Sequence, residues 1–149
     1  MNIRNMAPED CGAISIIEQE SPSPWTPAQI LAELPLPESI VLVSTGDDGN
    51  INGWCCSRYC GPEAELLKIA VAGSERRKGV AKKLLRVLIK KLAAVNVSIL
   101  FLEVRSKNEP ACKFYCSQGF AQVGERAGYY ANPRDNALIY RKELLYIDG

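Results

Sequence analysis

Glu103 is the single carboxylate in S-I-L-F-L-E-V, residues 98–104. A carboxylate among apolar neighbours is poorly solvated, which raises its pKa towards the range useful to a general base. A second reading stays open: near a strand end it can be ion-paired with Arg105 or Lys107. The chain contains no histidine, which removes the commonest general base and the Ser–His and Cys–His nucleophile pairs. Acid–base chemistry must then come from carboxylate, tyrosine, lysine or cysteine. There are six cysteines, with Cys55, Cys56 and Cys60 in W-C-C-S-R-Y-C and Cys112 and Cys116 in A-C-K-F-Y-C. None forms the paired C-x-x-C spacing of a zinc site, so no metal is expected. The thiols are expected to pack as buried or half-buried small hydrophobes. Covalent catalysis through Cys112 or Cys116 is open in principle, but nothing in the sequence lowers their pKa.

A second group of residues invites a ligand. In E-R-R-K-G-V-A-K, Arg76, Arg77 and Lys78 precede Gly79, where an apolar run turns into a helical pattern. Cations beside the positive end of a helix dipole are unfavourable unless an anion sits there. Free N–H groups at that end (Gly79, Val80, Ala81) suit a phosphate, and Gly79 lets it approach where a Cβ would intrude. Arg76, Arg77, Lys78 and Lys82 can add charge-assisted contacts. No Gly-Lys-Ser/Thr follows, which excludes a P-loop, and no G-x-G-x-x-G is present. Taken alone, the pattern is equally a basic solvated helix face.

The elements that must position these groups follow from periodicity. Residues 2–4 read as a first strand. A helix follows, with Pro8, Glu9 and Asp10 in its first turn and Ile14 and Ile17 on one face. Thr26 caps a second helix with Pro27 at its first position. Strands follow on either side of T-G-D-D-G-N, with another over 66–71. From 80 to 94, Ala81, Leu84, Leu85, Leu88 and Leu92 share one arc and Lys82, Lys83, Arg86 and Lys90 the opposite one. Residues 98–104 read as an interior strand buried on both faces. Asn108 caps a helix over 109–117, ended by Gly119, and two strands close the chain. The order βααβββαβαββ predicts an α/β fold, a mixed sheet with helices on both faces, in one domain over residues 1–149.

Composition narrows the class. Apolar residues are 47% and charged residues 23% of the 149, and Lys plus Arg is 18 against 17 Asp plus Glu. That balance offers no global field for nucleic acid or a membrane surface. No apolar run reaches the roughly 18 residues of a membrane span and no signal-peptide pattern opens the chain, so the expected location is cytoplasmic.

The chain resembles the GNAT acyltransferase superfamily, whose signature [Q/R]-x-x-G-x-[G/A] matches Arg76-x-x-Gly79-x-Ala81 at a strand-to-helix junction. It is most similar to the ribosomal-protein-alanine N-acetyltransferases. The resemblance runs from I-E-Q-E-S-P-S-P-W-T through L-L-K-I-A-V, R-R-K-G-V-A, F-L-E-V-R-S-K-N-E-P-A and F-Y-C-S-Q-G-F to G-Y-Y. It implies a splayed sheet with acetyl-CoA as co-substrate between two parallel strands. The pantetheine would pair with backbone at Ile69, Ala70 and Val71, and the pyrophosphate would meet Arg77 to Lys82. It assigns Glu103 the general-base role, usually through water, and Tyr115 that of general acid at the coenzyme sulfur. Tyr115 can equally be core packing beside Phe114. Asn108 matches a coenzyme contact, a role compatible with capping. Trp25, Tyr129 and Tyr130 would flank a peptide acceptor, or simply pack.

The implied acceptor is a protein N-terminus, the N-terminal alanine of ribosomal protein S18 in that family. Physical chemistry points the same way: near pH 7 roughly a tenth of an α-amine of pKa about 8 is neutral, against under about a thousandth of a lysine. A small-molecule amine or lysine acetyltransferase, or a silent acyl-CoA-binding module, are the competing readings. Three departures lie near the acceptor side. Lys68 stands where asparagine is usual, E-S-P-S-P-W lacks an aromatic, and A-N-P-R-D-N-A after Tyr130 differs.

Overall fold

The computed structural model describes residues 1–76 and 78–144; Arg77 lies outside them. Seven strands, β1 (Asn2–Asn5), β2 (Ser39–Thr45), β3 (Ile51–Cys60), β4 (Glu63–Val71), β5 (Ile99–Arg105), β6 (Ala121–Ala131) and β7 (Arg134–Glu143), form one sheet. The helices are α1 (Cys11–Glu18), α2 (Pro27–Ala32), α3 (Val80–Ala94) and α4 (Glu109–Ser117). The sheet order is β1-β2-β3-β4-β5-β7-β6. Every pairing is antiparallel except β4 with β5. The expected mixed α/β order is found.

Helices cover both faces because the central strands alternate. Along β3, Trp54 and Cys56 join Ile14 and Ile17 of α1 and Ile30 of α2, while Cys55 joins the cluster beneath α3. In α3, Leu84, Leu85, Leu88 and Leu92 are buried on one arc, each contributing about 2 kcal/mol by leaving water. The first residue on that arc is Val80; Ala81, expected there, is half-buried. Thr26 caps α2 reciprocally: Gln29 N donates to Thr26 Oγ1 at 3.2 Å and Thr26 N to Gln29 Oε1 at 2.8 Å.

Two expectations need correction. β5 is not buried on both faces: Leu100, Leu102 and Val104 are buried, but Ile99, Phe101, Glu103 and Arg105 are half-buried, because the second face opens onto clefts instead of a helix. Nor are all the thiols inside. Cys11, Cys55 and Cys56 are buried and Cys112 half-buried, whereas Cys60 and Cys116 are exposed. Burial pushes the Cys56 thiol up to about 12, so it stays neutral. Among the described residues no helix is long and apolar enough to cross a membrane.

Two buried carboxylates anchor the α1–α2 layer. Asp10 accepts both Arg4 guanidinium N–H groups, at 2.7 and 2.9 Å, and the Ala7 N–H at 2.7 Å. Glu33 accepts a bidentate pair from Arg58 and the Ser39 hydroxyl at 3.0 Å. The Arg58 hydrogen bonds hold the Glu33 carboxyl below its usual range, as those of Arg4 do for Asp10. A depressed folded pKa gives stability that is complete above the unfolded values, about 4, and lost as pH falls through the folded ones. Arg58 is half exposed, so Arg58→Met is expected to cost only about 1–2 kcal/mol in urea denaturation at pH 7. The difference from the unsubstituted protein should shrink as pH falls below about 4.

Candidate active site

The site begins where a ladder stops. β4 and β5 pair from Glu63↔Ile99 to Leu66↔Leu102 and no further, although β4 runs on to Val71 and β5 to Arg105. The break coincides with a β-bulge. Cys56 opposes Lys68 while Ser57 opposes Leu66, leaving Leu67 as the extra residue that bends β4. Past it the strands diverge around a cleft of about 400 Å³. The cleft passes through the sheet: Ile17 and Trp25 line it from the α1–α2 side, Ala111 and Tyr115 from the α4 side. Ile69, Ala70 and Val71 form its β4 wall, with one backbone edge lacking a neighbouring strand.

Glu103 and Tyr115 both line this cleft. Glu103 lies on the half-buried face of β5, and neither Arg105 nor Lys107 is its partner. The Arg126 guanidinium reaches across β7 to within 3.7 Å of it. Glu103 also borders a second cleft of about 510 Å³ on the same face, which it shares with Glu65. Desolvation first, and the Glu103 charge second, raise the Glu65 carboxyl above its ordinary value. Tyr115 is 8% exposed and packs edge-on against Phe120, with ring centroids 5.6 Å apart. Burial pushes its phenol well above the ordinary value. No described residue hydrogen-bonds its hydroxyl. Core packing and cleft lining are thus both true of Tyr115.

Asn108 also serves twice. Its side-chain oxygen accepts the Ala111 N–H at 3.3 Å, capping α4, and the residue lines the cleft. Of the basic turn, Arg76 reaches the cleft, while the expectation for Arg77 falls outside the described residues. Lys78 pairs with Glu75 at 3.2 Å and Arg76 with Glu20 at 3.8 Å, both at the surface. Lys82 is exposed, and Val80 is buried with its side chain in the core. Gly79 precedes α3 with φ of 80°, so the N–H groups of the first turn are free of helical partners.

The acceptor-side aromatics divide. Trp25 lines the cleft and meets Trp54 edge-on at 5.6 Å. Tyr130 lines it too, with the Arg105 guanidinium 4.2 Å above its ring. Tyr129 does not line it: it is 52% exposed beneath Arg126, with its ring edge-on to that of Tyr130 at 5.2 Å where the β6–β7 register shifts. Sequence reasoning missed Glu18, Glu65 and Arg126, and named Arg105 only as an ion partner of Glu103, not as a cleft residue. None had a local signal: Glu65 precedes the strand read over 66–71, and its approach to Glu103 depends on the pairing of β4 with β5. Among the described residues no three His, Cys, Asp or Glu side chains gather to hold a metal ion.

The profile of the acetyltransferase (GNAT) family matches residues 12–120. The chain belongs to that family. An alanine N-acetyltransferase of ribosomal protein bS18 from Haemophilus ducreyi is 46% identical over 80 residues, 52% of this chain and 55% of that protein. The chain thus matches about half the length of that relative. An N-alpha-acetyltransferase, RimI, of Mycobacterium tuberculosis is 31% identical over 80% of this chain and 76% of its own. The crystal structure of the ribosomal-protein-S18-alanine N-acetyltransferase from Escherichia coli superposes with a TM-score of 0.88 at 27% identity. It covers 99% of this chain and 96% of that one. The expected resemblance to this branch of the GNAT family is therefore found.

Gly79 supplies a test of the turn by itself. A Cβ there would meet nothing within 4 Å, but the positive φ strains any L side chain. Gly79→Ala is therefore expected to cost about 1 kcal/mol in thermal or chemical denaturation from backbone strain alone.

Proposed function

We propose that residues 1–149 act as one cytoplasmic domain that transfers the acetyl group of acetyl-CoA to the α-amine of a protein N-terminus. The acceptor proposed is the N-terminal alanine of ribosomal protein S18. One observation carries the reading: the cleft crosses the sheet, so a donor and an acceptor can meet from opposite faces, and Glu103 and Tyr115 both line it.

The residues fit the coenzyme. The unpaired β4 edge at Ile69, Ala70 and Val71 offers backbone groups to an amide-bearing arm, as a missing strand would. The first N–H groups of α3, at Gly79, Val80 and Ala81, suit a diphosphate. Arg76, Arg77, Lys78 and Lys82 add positive charge. The surface ion pairs of Arg76 and Lys78 are each worth under about 1 kcal/mol, so an arriving anion displaces them at little cost. Asn108 stands across the cleft from this turn's strand. Bound acetyl-CoA supplies an activated acyl carbon and a thiolate leaving group.

The protein's part is proton management. Glu103 takes the proton that the amine sheds as its nitrogen bonds to the acyl carbon, directly or through a water. Tyr115 gives its proton to the sulfur as the C–S bond breaks. A buried phenol with a raised pKa keeps that proton across the working pH range. Trp25 and Tyr130 flank the acceptor, and Tyr129 forms an outer contact. An α-amine is preferred because a useful fraction is already neutral near pH 7. No role for nucleic acid, membrane or metal enters this scheme.

Glu103→Gln is expected to lower kcat about a hundredfold and flatten the rise of rate with pH. Tyr115→Phe should slow turnover with little change in acetyl-CoA affinity. In the unsubstituted enzyme no fall assignable to the phenol should occur up to about pH 10, the ordinary tyrosine value. The acceptor is tested by thiol release and mass spectrometry with peptides beginning Ala or Ser, lysine peptides and polyamines. Acetyl groups should appear on the peptide N-terminus. Acetylation of only ε-amines or polyamines overturns the acceptor, and coenzyme binding without turnover overturns the enzyme.

A further inference from the structure

The segment between α1 and α2, residues 19–26, supplies Ser21, Pro22, Ser23 and Trp25 to the cleft wall facing β5. Two of the eight residues are proline, and the segment carries little regular structure of its own. Its position is set by a buried charge pair. Glu18, 1% exposed at the end of α1, accepts the Trp25 N–H at 2.9 Å through Oε1 and the Trp54 indole N–H at 3.1 Å through Oε2. Lys68 Nζ lies 3.1 Å from Glu18 Oε1, with its side chain only 13% exposed. The same ammonium donates to Ser21 Oγ at 2.7 Å and to the Ser23 carbonyl at 3.1 Å. From the other side, Arg105 reaches Ser23 Oγ at 3.4 Å while donating to the carbonyls of Asn132 and Pro133.

Lys68 thus spends its donors on one carboxylate and two loop oxygens. Its backbone belongs to the part of β4 that has left β5. The loop is thereby fastened to the strand that forms the donor slot, next to Ile69. We propose that Lys68 is a positioning residue. By tying the α1–α2 loop to the splayed half of β4, it fixes the spacing between the acceptor wall and the acyl slot, and so determines how tightly an N-terminal peptide is held. The proposal rests on the acceptor reading given above.

The test uses three proteins: the unsubstituted chain, Lys68→Met, and the double variant Glu18→Gln with Lys68→Met. The single variant strands a buried carboxylate and loses stability. The double variant removes that charge; the amide oxygen there accepts from Trp25 while its NH2 faces the buried Trp54 indole N–H, so only part of the lost stability returns. In both variants the acceptor KM for an Ala-initiated peptide is expected to rise about tenfold, the scale of one lost charge-assisted hydrogen bond. The KM for acetyl-CoA and kcat should move by less than about twofold. A role confined to stability predicts instead that the double variant recovers acceptor KM together with its melting temperature, and that result overturns the proposal.

A second readout needs no turnover. Amide exchange at Ser21 and Ser23 should quicken in both variants by a larger factor than in α3 and β2, which report the global loss of stability. Unaltered exchange at these amides overturns the proposal whatever the kinetics. If the unsubstituted protein acetylates no N-terminal peptide, the acceptor reading fails, and the exchange rates still decide whether Lys68 holds the loop.

Discussion

The parallel ladder between β4 and β5 ends at Leu66 and Leu102, and the site depends on that ending. Parallel strands ordinarily stay paired because each unpaired backbone group away from water costs free energy. Here the bulge at Leu67 turns β4 aside, and the strands part while both still have residues to pair. The sheet keeps its continuity through β5 with β7 and β4 with β3, so the gap is held open by neighbours that are themselves paired. A hole through a sheet is what lets groups from the α4 layer and the α1–α2 layer address one point.

Charge is distributed around that hole with unequal commitment. The surface pairs of Arg76 and Lys78 can be given up to an incoming anion. Deeper cations are occupied: Lys68 with Glu18 and two loop oxygens, Arg105 with Ser23, Tyr130 and the β6–β7 turn. The first set is suited to binding and the second to holding walls still. Arg126, 3.7 Å from Glu103 and half exposed, stands between these extremes.

Much of the architecture was legible because its signals are local. The span of α3 follows from leucine spacing, that of α4 from Asn108 and Gly119, and the start of α2 from Thr26 and Pro27. The site's less visible parts depend on distant pairing. Glu103 meets Arg126 only because β7 lies between β5 and β6, which no short-range pattern encodes. The bulge at Leu67 leaves no turn residue to mark it. Lys68 departs from the family pattern, but its partner Glu18 lies far earlier in the chain, at the end of an ordinary helical pattern. The place of Tyr129 depends on the register shift between Arg126 and Tyr130, which breaks simple strand alternation and leaves the two tyrosine rings in contact. The apolar content of 98–104 predicts burial on both faces, yet the Glu103 face opens on clefts.

Backbone hydrogen exchange with and without acetyl-CoA tests the central claim most directly. Coenzyme seated in the gap should slow exchange in the diverging half of β4, residues 67–71, and in the first turn of α3, leaving the paired half of β4 unchanged. Saturating acetyl-CoA with no protection at either place would contradict the account, because the gap would then not be the donor slot.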